Sequence, residues 1–327
     1  MARIAFVGDV MLGRLVSDQL RRGRRPESCW GDVAPLLQNC DGVIANLECA
    51  ITTRDEPWLR TPKMFHFGAD PAAVEVLKTG NVRAVSLANN HVLDFEVAGL
   101  LDTLENLDRA GIAHAGAGRS EGEAFTPARL RLGDLEVALF AVTDNEPAFA
   151  AKRNDPGTAY VDLDVPAPPL PIRAEIEGDW RGGADLTILS CHLGPNMVTK
   201  PSPEIREYHR KAAHHGFDII HGHSAHVTQG VERMGRSLLL HDTGDFIDDY
   251  AIDPVLRNDW SFVFMLEADR FGTSRLALIP VILSFAEVHL AKAEEAGALC
   301  ERMMKQSARF GTVFTRTAEG LELAISV

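Results

Sequence analysis

Aromatic residues are scarce, at 7% of the 327-residue chain, and the five cysteines (Cys29, Cys40, Cys49, Cys191, Cys300) form no Cys-x-x-Cys pair. An odd number of irregularly spaced thiols offers neither a disulfide framework nor a paired-thiol metal site, and suits reduced packing residues. No window approaches the roughly 18 uninterrupted apolar residues that a membrane span needs. The opening Met1-Ala2-Arg3-Ile4-Ala5-Phe6-Val7-Gly8-Asp9 lacks the basic start and long apolar stretch of an export signal and reads as a strand followed by a turn. The expected location is therefore the cytoplasm, with no membrane segment. Positive charge is also short: 33 Lys and Arg against 46 Asp and Glu leave a net charge of −13. That balance argues against coating a nucleic acid, which takes a surplus of cations along the phosphate backbone. Hydrophobic residues at 46% and charged residues at 24% are ordinary for a globular chain, so disorder and fibrous repeats are not expected. Against these shortages stand twelve histidines.

Short apolar runs alternate with amphipathic ones. Ile4–Gly8, Gly42–Ala45, Ala84–Ala88, Leu135–Val142, Asp185–Ser190, Asp218–His221 and Ser237–His241 read as strands. Ala98–Ala110 carries Leu100, Leu101, Leu104 and Leu107 at helical spacing and stops at Gly111. A helix near Ala291–Ser307 and a last strand, Leu321–Val327, follow Ser284. The alternation predicts an α/β sheet protein. One domain over residues 1–327 is expected, with a Pro-rich surface insertion near 162–178 and a helix-and-strand appendage at 284–327. The basic run Arg21, Arg22, Arg24 and Arg25 reads as the solvated end of a helix.

In such folds the site lies at the carboxyl ends of strands, and five of these ends finish in residues able to bind metal. Asp9 follows the first strand, with Gly8 and Gly13 letting the backbone turn closely and Arg14 able to fork onto an anion. Glu48 ends the second strand, and a carboxylate can bridge two cations. After the third, Asn90 offers an amide oxygen and His91 a proton donor, with Asp94 placed to orient the imidazole. His192 precedes a Gly-Pro turn. His221, His223 and His226 crowd six residues, a density without a packing reason because buried imidazoles need partners; spacing does not choose among them. His209, His214 and His215 are expected on the solvated side of the preceding helix. His241 opens an acidic stretch, Asp242, Asp245, Asp248 and Asp249, readable as support for the site, as a cation site or as a capped turn of solvated acids.

The ordered set Gly8-Asp9-Val10-Met11-Leu12-Gly13-Arg14, Asn46-Leu47-Glu48, Leu87-Ala88-Asn89-Asn90-His91 with Asp94, His192-Leu193-Gly194-Pro195-Asn196, His221-Gly222-His223-Ser224-Ala225-His226 and Gly244-Asp245-Phe246 resembles the bacterial CapA family. These are poly-γ-glutamate (capsule) biosynthesis proteins, distant relatives of calcineurin-like metallophosphoesterases. Ala110–Arg119 also looks like that family, and the similarity spans roughly residues 3–270. It implies a four-layer α/β/β/α sandwich of the metallo-dependent phosphatase type with a dinuclear site at one edge. Carried over, Asp9 binds one metal and Glu48 bridges. Asn90, His192 and one of His221, His223 and His226 complete the other position, and His91 assists the leaving group. One or two ions of Mn, Fe or Zn are implied, with chemistry in which metal-activated water attacks a phosphoester or related centre. Two positions depart from the pattern. Metallophosphoesterases usually open with Asp-x-His, where this chain has Met11, so one metal position is differently ligated or empty. Leu193 and His241 stand where the family often has Trp and Tyr.

The first functional expectation is a metal-dependent hydrolase of phosphate esters or of a polyglutamate-related linkage. The second is a metal-independent acid/base enzyme on this fold, such as a peptide epimerase, pairing Asp9 with His223 or His241. The third is a non-catalytic module in polymer assembly, which the negative charge opposes. The expected partner is a small-molecule, peptide or polymer substrate.

Overall fold

The computed structural model describes residues 1–166, 169–172 and 179–325. Residues 167–168 and 173–178 of the segment expected to be a Pro-rich insertion lie outside them. Two sheets carry the fold. The parallel heart of the larger is Ala2–Val10, Gly42–Leu47, Val82–Ser86 and Ala113–Ala115. Antiparallel Trp260–Asp269 and Gly272–Ser284 extend it on the other side. The smaller sheet has parallel Leu135–Thr143, Leu186–His192, Ile219–His223 and Ser237–Leu240 at its centre.

Strand alternation decides the layers. Ile4 and Phe6 of the first strand join Ile44, Ile188, Ile219, Phe262 and Phe264 in a core between the two sheets. Ala5 and Val7 face the other way, into a second core with Trp30 and with Leu100, Leu104 and Leu107 of helix Glu96–Ala110. On the far side Phe140, Leu189 and Ile220 pack under helix Pro203–His215. Three cores between four layers make the α/β/β/α sandwich. Residues 287–324 return to the larger sheet, with Leu321–Ala324 paired antiparallel to Gly272–Ser284.

Helix ends follow local chemistry. Ser202 caps Pro203–His215 by accepting from the Ile205 amide at 3.3 Å, and Gly216 closes it with a φ of +109°. The two longest strands, Trp260–Asp269 and Gly272–Ser284, are absent from the sequence expectation, although Phe262–Leu266 is a continuous apolar run of the kind that a strand buried on both faces carries.

Two glycines hold the sheets at their closest approach to the loops. A Cβ on Gly8 would stand 1.7 Å from the Gly244 carbonyl oxygen, and one on Gly222 would stand 2.0 Å from the His241 carbonyl oxygen. Gly222→Ala is expected to lower the unfolding free energy by about 3 kcal/mol, since backbone must move. Gly297→Ala, in a helix with open space around it, is expected to gain about 0.5–1 kcal/mol. Chemical denaturation of both variants checks the pair.

Candidate metal centre

Register brings the polar strand ends together. Asp9 pairs with Asn46 on one side and with Asp245 on the other, so three polar side chains line one edge of the larger sheet. In the smaller sheet His192 pairs with His223. Both rows lie at the carboxyl ends of parallel strands, and the layers close them onto one another.

Asp9 is the meeting point. Its Oδ1 accepts from Asn46 Nδ2 at 2.8 Å and lies 3.8 Å from His223 Nδ1, while Oδ2 lies 3.3 Å from His226 Nδ1. His226 Nδ1 is 2.7 Å from Asp245 Oδ1 and 4.0 Å from Glu48 Oε2. His192 and His223 face each other through Nδ1 atoms 2.9 Å apart, and His192 Nε2 is 3.8 Å from Glu48 Oε1. Two groups of converging ligand atoms result: Asp9 with His192 and His223, and Asp9 with Glu48, His226 and Asp245. The residue common to both is Asp9, where the resemblance implied Glu48 as the bridge.

The backbone is held in place for this. His226 and Ser224 take φ values of +58° and +114°, a conformation that costs of order 1–3 kcal/mol per residue when it is not glycine. Asn89 is the buried organiser of the adjoining turn: it donates to Asn46 Oδ1 at 3.0 Å and to the Leu47 carbonyl at 2.8 Å, and accepts the His91 amide at 3.0 Å.

Beside the cluster, His91 Nδ1 lies 2.5 Å from Asp94 Oδ2, and the ring stacks on Phe67 at 3.7 Å between centroids. Lys63, its side chain 5% exposed, pairs with Asp94 at 3.2 Å and donates to the Asn90 carbonyl. Burial, then Lys63, holds the imidazole well below its ordinary pKa, and burial pushes Asp94 up to about 7. Both shifts favour a neutral imidazole beside a carboxyl group that resists ionisation. Asn90 Oδ1 has no hydrogen-bond partner. Arg14 sits at the rim, paired with Asp249 at 3.3 Å and lying over Phe65 and Phe67. Met11 is buried, its sulfur accepting from the Gly13 amide at 3.1 Å.

Two expected site residues are used elsewhere. His221 Nε2 lies 3.0 Å from the Val7 carbonyl oxygen and 3.2 Å from Thr243 Oγ1, pinning one sheet to the other. His241 stands in a separate buried network, 3.1 Å from His209 Nδ1 and 3.1 Å from Glu232 Oε2. Its backbone closes over Gly222, so the ring cannot also reach Asp9. His209 is accordingly buried, against the expectation of a solvated helix face, whereas His214 and His215 are exposed. Sequence reasoning misses Asn46, Asn89, Lys63 and Tyr250, whose hydroxyl donates to Glu48 Oε2 at 3.3 Å. Only Asn46 and Asn89 carry a signal, their places inside the motifs. Asp245, expected as support or as part of a cation site, stands directly in the cluster.

Electrostatics fit a cation-binding edge. Burial opposes ionisation of Asp9, yet His226, His223 and His192 hold its carboxyl below the ordinary carboxylate range. Burial and the nearby Asp9 raise Glu48 well above that range, and burial does the same to Asp245. Burial lowers His192 to about 3 and His223 well below its ordinary value, which favours their neutral imidazoles, whereas Asp245 and Glu48 outweigh burial and hold His226 well above its ordinary value.

The chain matches the family described as bacterial capsule synthesis protein PGA_cap over residues 3–250. It belongs to that family. Among its relatives is the PGA biosynthesis protein CapA of Bacillus subtilis, 27% identical over 279 residues, or 85% of this chain and 70% of the relative. The capsule biosynthesis protein CapA of Bacillus anthracis is 24% identical over 326 residues, covering 99% and 77%. A protein of Mycobacterium tuberculosis named as a probable polyglutamine synthesis accessory protein is 28% identical over 311 residues, covering 90% and 80%. Among solved structures, a hypothetical protein from Thermus thermophilus superposes with a TM-score of 0.47 at 16% identity, over 89% of this chain and all of that one. No helix among the described residues is long and apolar enough to cross a membrane.

Glu48 and Asp245 are held above the ordinary carboxylate range and His226 above the ordinary imidazole value, so a cation entering this cluster competes with protons. Divalent metal binding is therefore expected to release about one to two protons per ion and to tighten as pH rises. Calorimetry of Mn²⁺ binding in two buffers of different ionisation enthalpy reads the number; no release would contradict the raised carboxyls.

Proposed function

We propose that this protein is a metal-dependent hydrolase that cleaves a phosphoester or an amide-type linkage of a polyglutamate-like polymer. The supporting observation is a set of buried oxygens without hydrogen bonds at one place: Asp9 Oδ2, Glu48 Oε1, Asn90 Oδ1 and Asp245 Oδ2. Each such orphan costs about 1–3 kcal/mol when nothing compensates it. Cations between these oxygens and the facing imidazoles satisfy them together, which makes the residues present a fit for one or two divalent ions.

In this reading Asp9, Glu48, His226 and Asp245 hold one ion, and Asp9, His192 and His223 hold the other with Asn90 adding an oxygen. Bound there, the metal supplies Lewis acidity and a water of lowered pKa. The chain's own groups do the rest. Asp94 fixes Nδ1 of His91 and leaves Nε2 to pass a proton to the leaving group. Phe67 keeps that ring planar against its face, and Lys63 anchors the turn. Arg14, with its guanidinium at the rim, meets an anionic part of the substrate. The names of the relatives favour a polymer of glutamate as the substrate class. Nothing geometric favours the epimerase reading: Asp9 and His223 stand 3.8 Å apart, too close to flank a carbon from opposite faces, and His241 is occupied elsewhere.

Purified protein with Mn²⁺ is expected to hydrolyse bis(p-nitrophenyl) phosphate or γ-glutamyl oligomers, and to stop when a chelator is added. His91→Gln is expected to lower kcat by about 10²–10⁴ with metal content unchanged, while Asp9→Asn loses both metal and activity. Undiminished cellular function of an Asn90→Ala, His91→Gln double variant would favour the assembly-module reading instead.

A further inference from the structure

Outside the candidate metal centre, helix Ala293–Ala308 and the loop leading to Trp260 enclose a groove of about 680 Å³. None of its lining residues belongs to the candidate metal centre. Arg302, Lys305 and Arg309 follow one another at spacings of three and four residues, which puts them on one side of the helix and its end. Arg257 and Trp260 line the groove with them.

The cations differ in their partners. Arg257 is gripped by both oxygens of Asp259, at 2.7 and 2.6 Å, and Lys305 pairs with Glu301 at 2.6 Å. Neither Arg302 nor Arg309 has a carboxylate within 4.0 Å among the described residues. Arg302 is half-buried all the same, with Nη1 donating to the Leu256 carbonyl; burial disfavours its charge, and Arg257 repels it while Asp259 attracts it from further than an ion pair. Trp260 adds a second unmet donor: its Nε1–H is buried with no acceptor. An indole nitrogen and a guanidinium can only donate. A half-buried arginine beside another arginine, next to an orphaned N–H, is an arrangement that an incoming oxyanion relieves. A guanidinium grips such a group by two parallel hydrogen bonds.

We infer that this groove is an anion site, separate from the metal centre, that takes a multiply charged ligand bearing carboxylate or phosphate oxygens on Arg302, Arg309 and the Trp260 indole. The exposed Val255 at its rim gives the carbon skeleton of such a ligand an apolar surface. In a chain of net charge −13 the groove is a local exception, so it selects by position and geometry where the overall field repels. This inference does not rest on the hydrolase reading.

The test titrates the whole protein with citrate, with pyrophosphate and with sodium chloride at matched ionic strength, reading tryptophan fluorescence and calorimetry. Saturable binding of citrate or pyrophosphate to one site is expected, the better of the two identifying the anion as carboxylate or phosphate. Arg302→Met with Arg309→Met is expected to weaken it by about tenfold or more, with metal content unchanged. The exposed Arg309→Met alone should weaken it measurably if the double variant fails to fold. Trp260→Phe should remove the fluorescence response. Absence of saturation up to about 10 mM, an unchanged affinity in the arginine variants, or an equal response to chloride would overturn the site.

Discussion

A buried carboxylate, Asp9, sets the terms for the rest of this protein. It sits fully buried at the end of the opening strand, and a charge in that position is tolerated only when other groups compensate it. The structure supplies them from every direction: an amide from Asn46, imidazoles from His223 and His226, and a polar backbone clasp in which the Asp9 amide donates to the Gly244 carbonyl at 2.9 Å. The glycines at 8 and 222, the left-handed turn at His226 and the pairing of His192 with His223 all serve the approach of the two sheets at this point. That concentration of strain and close packing at one edge is what a functional site requires and a simple core does not.

The two histidines that lie outside the expected site show how the same composition serves two ends. His221 links the sheets through the Val7 carbonyl, and His241 stacks on His209 at 5.3 Å beneath the guanidinium-held Glu232. Both are buried and both have polar partners, so their burial is accounted for without an ion. His192, His223 and His226 are different: their ring nitrogens point at one another and at carboxylates at distances that suit a shared cation.

Much of this is readable from the residues. Strand ends rich in Asp, Asn and His locate the edge, and leucine spacing with Gly111 places the helix Glu96–Ala110 within two residues of its start. The part that stays hidden depends on register. Nothing local distinguishes His221 from His223, which share one face of their strand; depth decides, since His223 pairs with His192 at the strand end while His221, one pleat further in, meets the Val7 carbonyl. The same holds for Asp245, whose role follows from its pairing with Asp9, a partner far away along the chain. Lys63 and Tyr250 come from irregular segments without periodicity, so only the folded chain brings them to the site. The long hairpin Trp260–Ser284 opens with the continuous apolar run Phe262–Leu266, buried on both faces, and is legible in principle.

The geometry around Asp9 carries the central proposal, that this edge can hold divalent metal. The most direct measurement is elemental analysis of protein purified without chelator and without a histidine tag, in parallel with Asn90→Ala plus His192→Ala and with Asp9→Asn. The account predicts about one to two Mn, Fe or Zn ions per chain, reduced in the double variant and lost with Asp9. Metal-free protein that keeps full function, or metal retained after Asp9 is replaced, would contradict it.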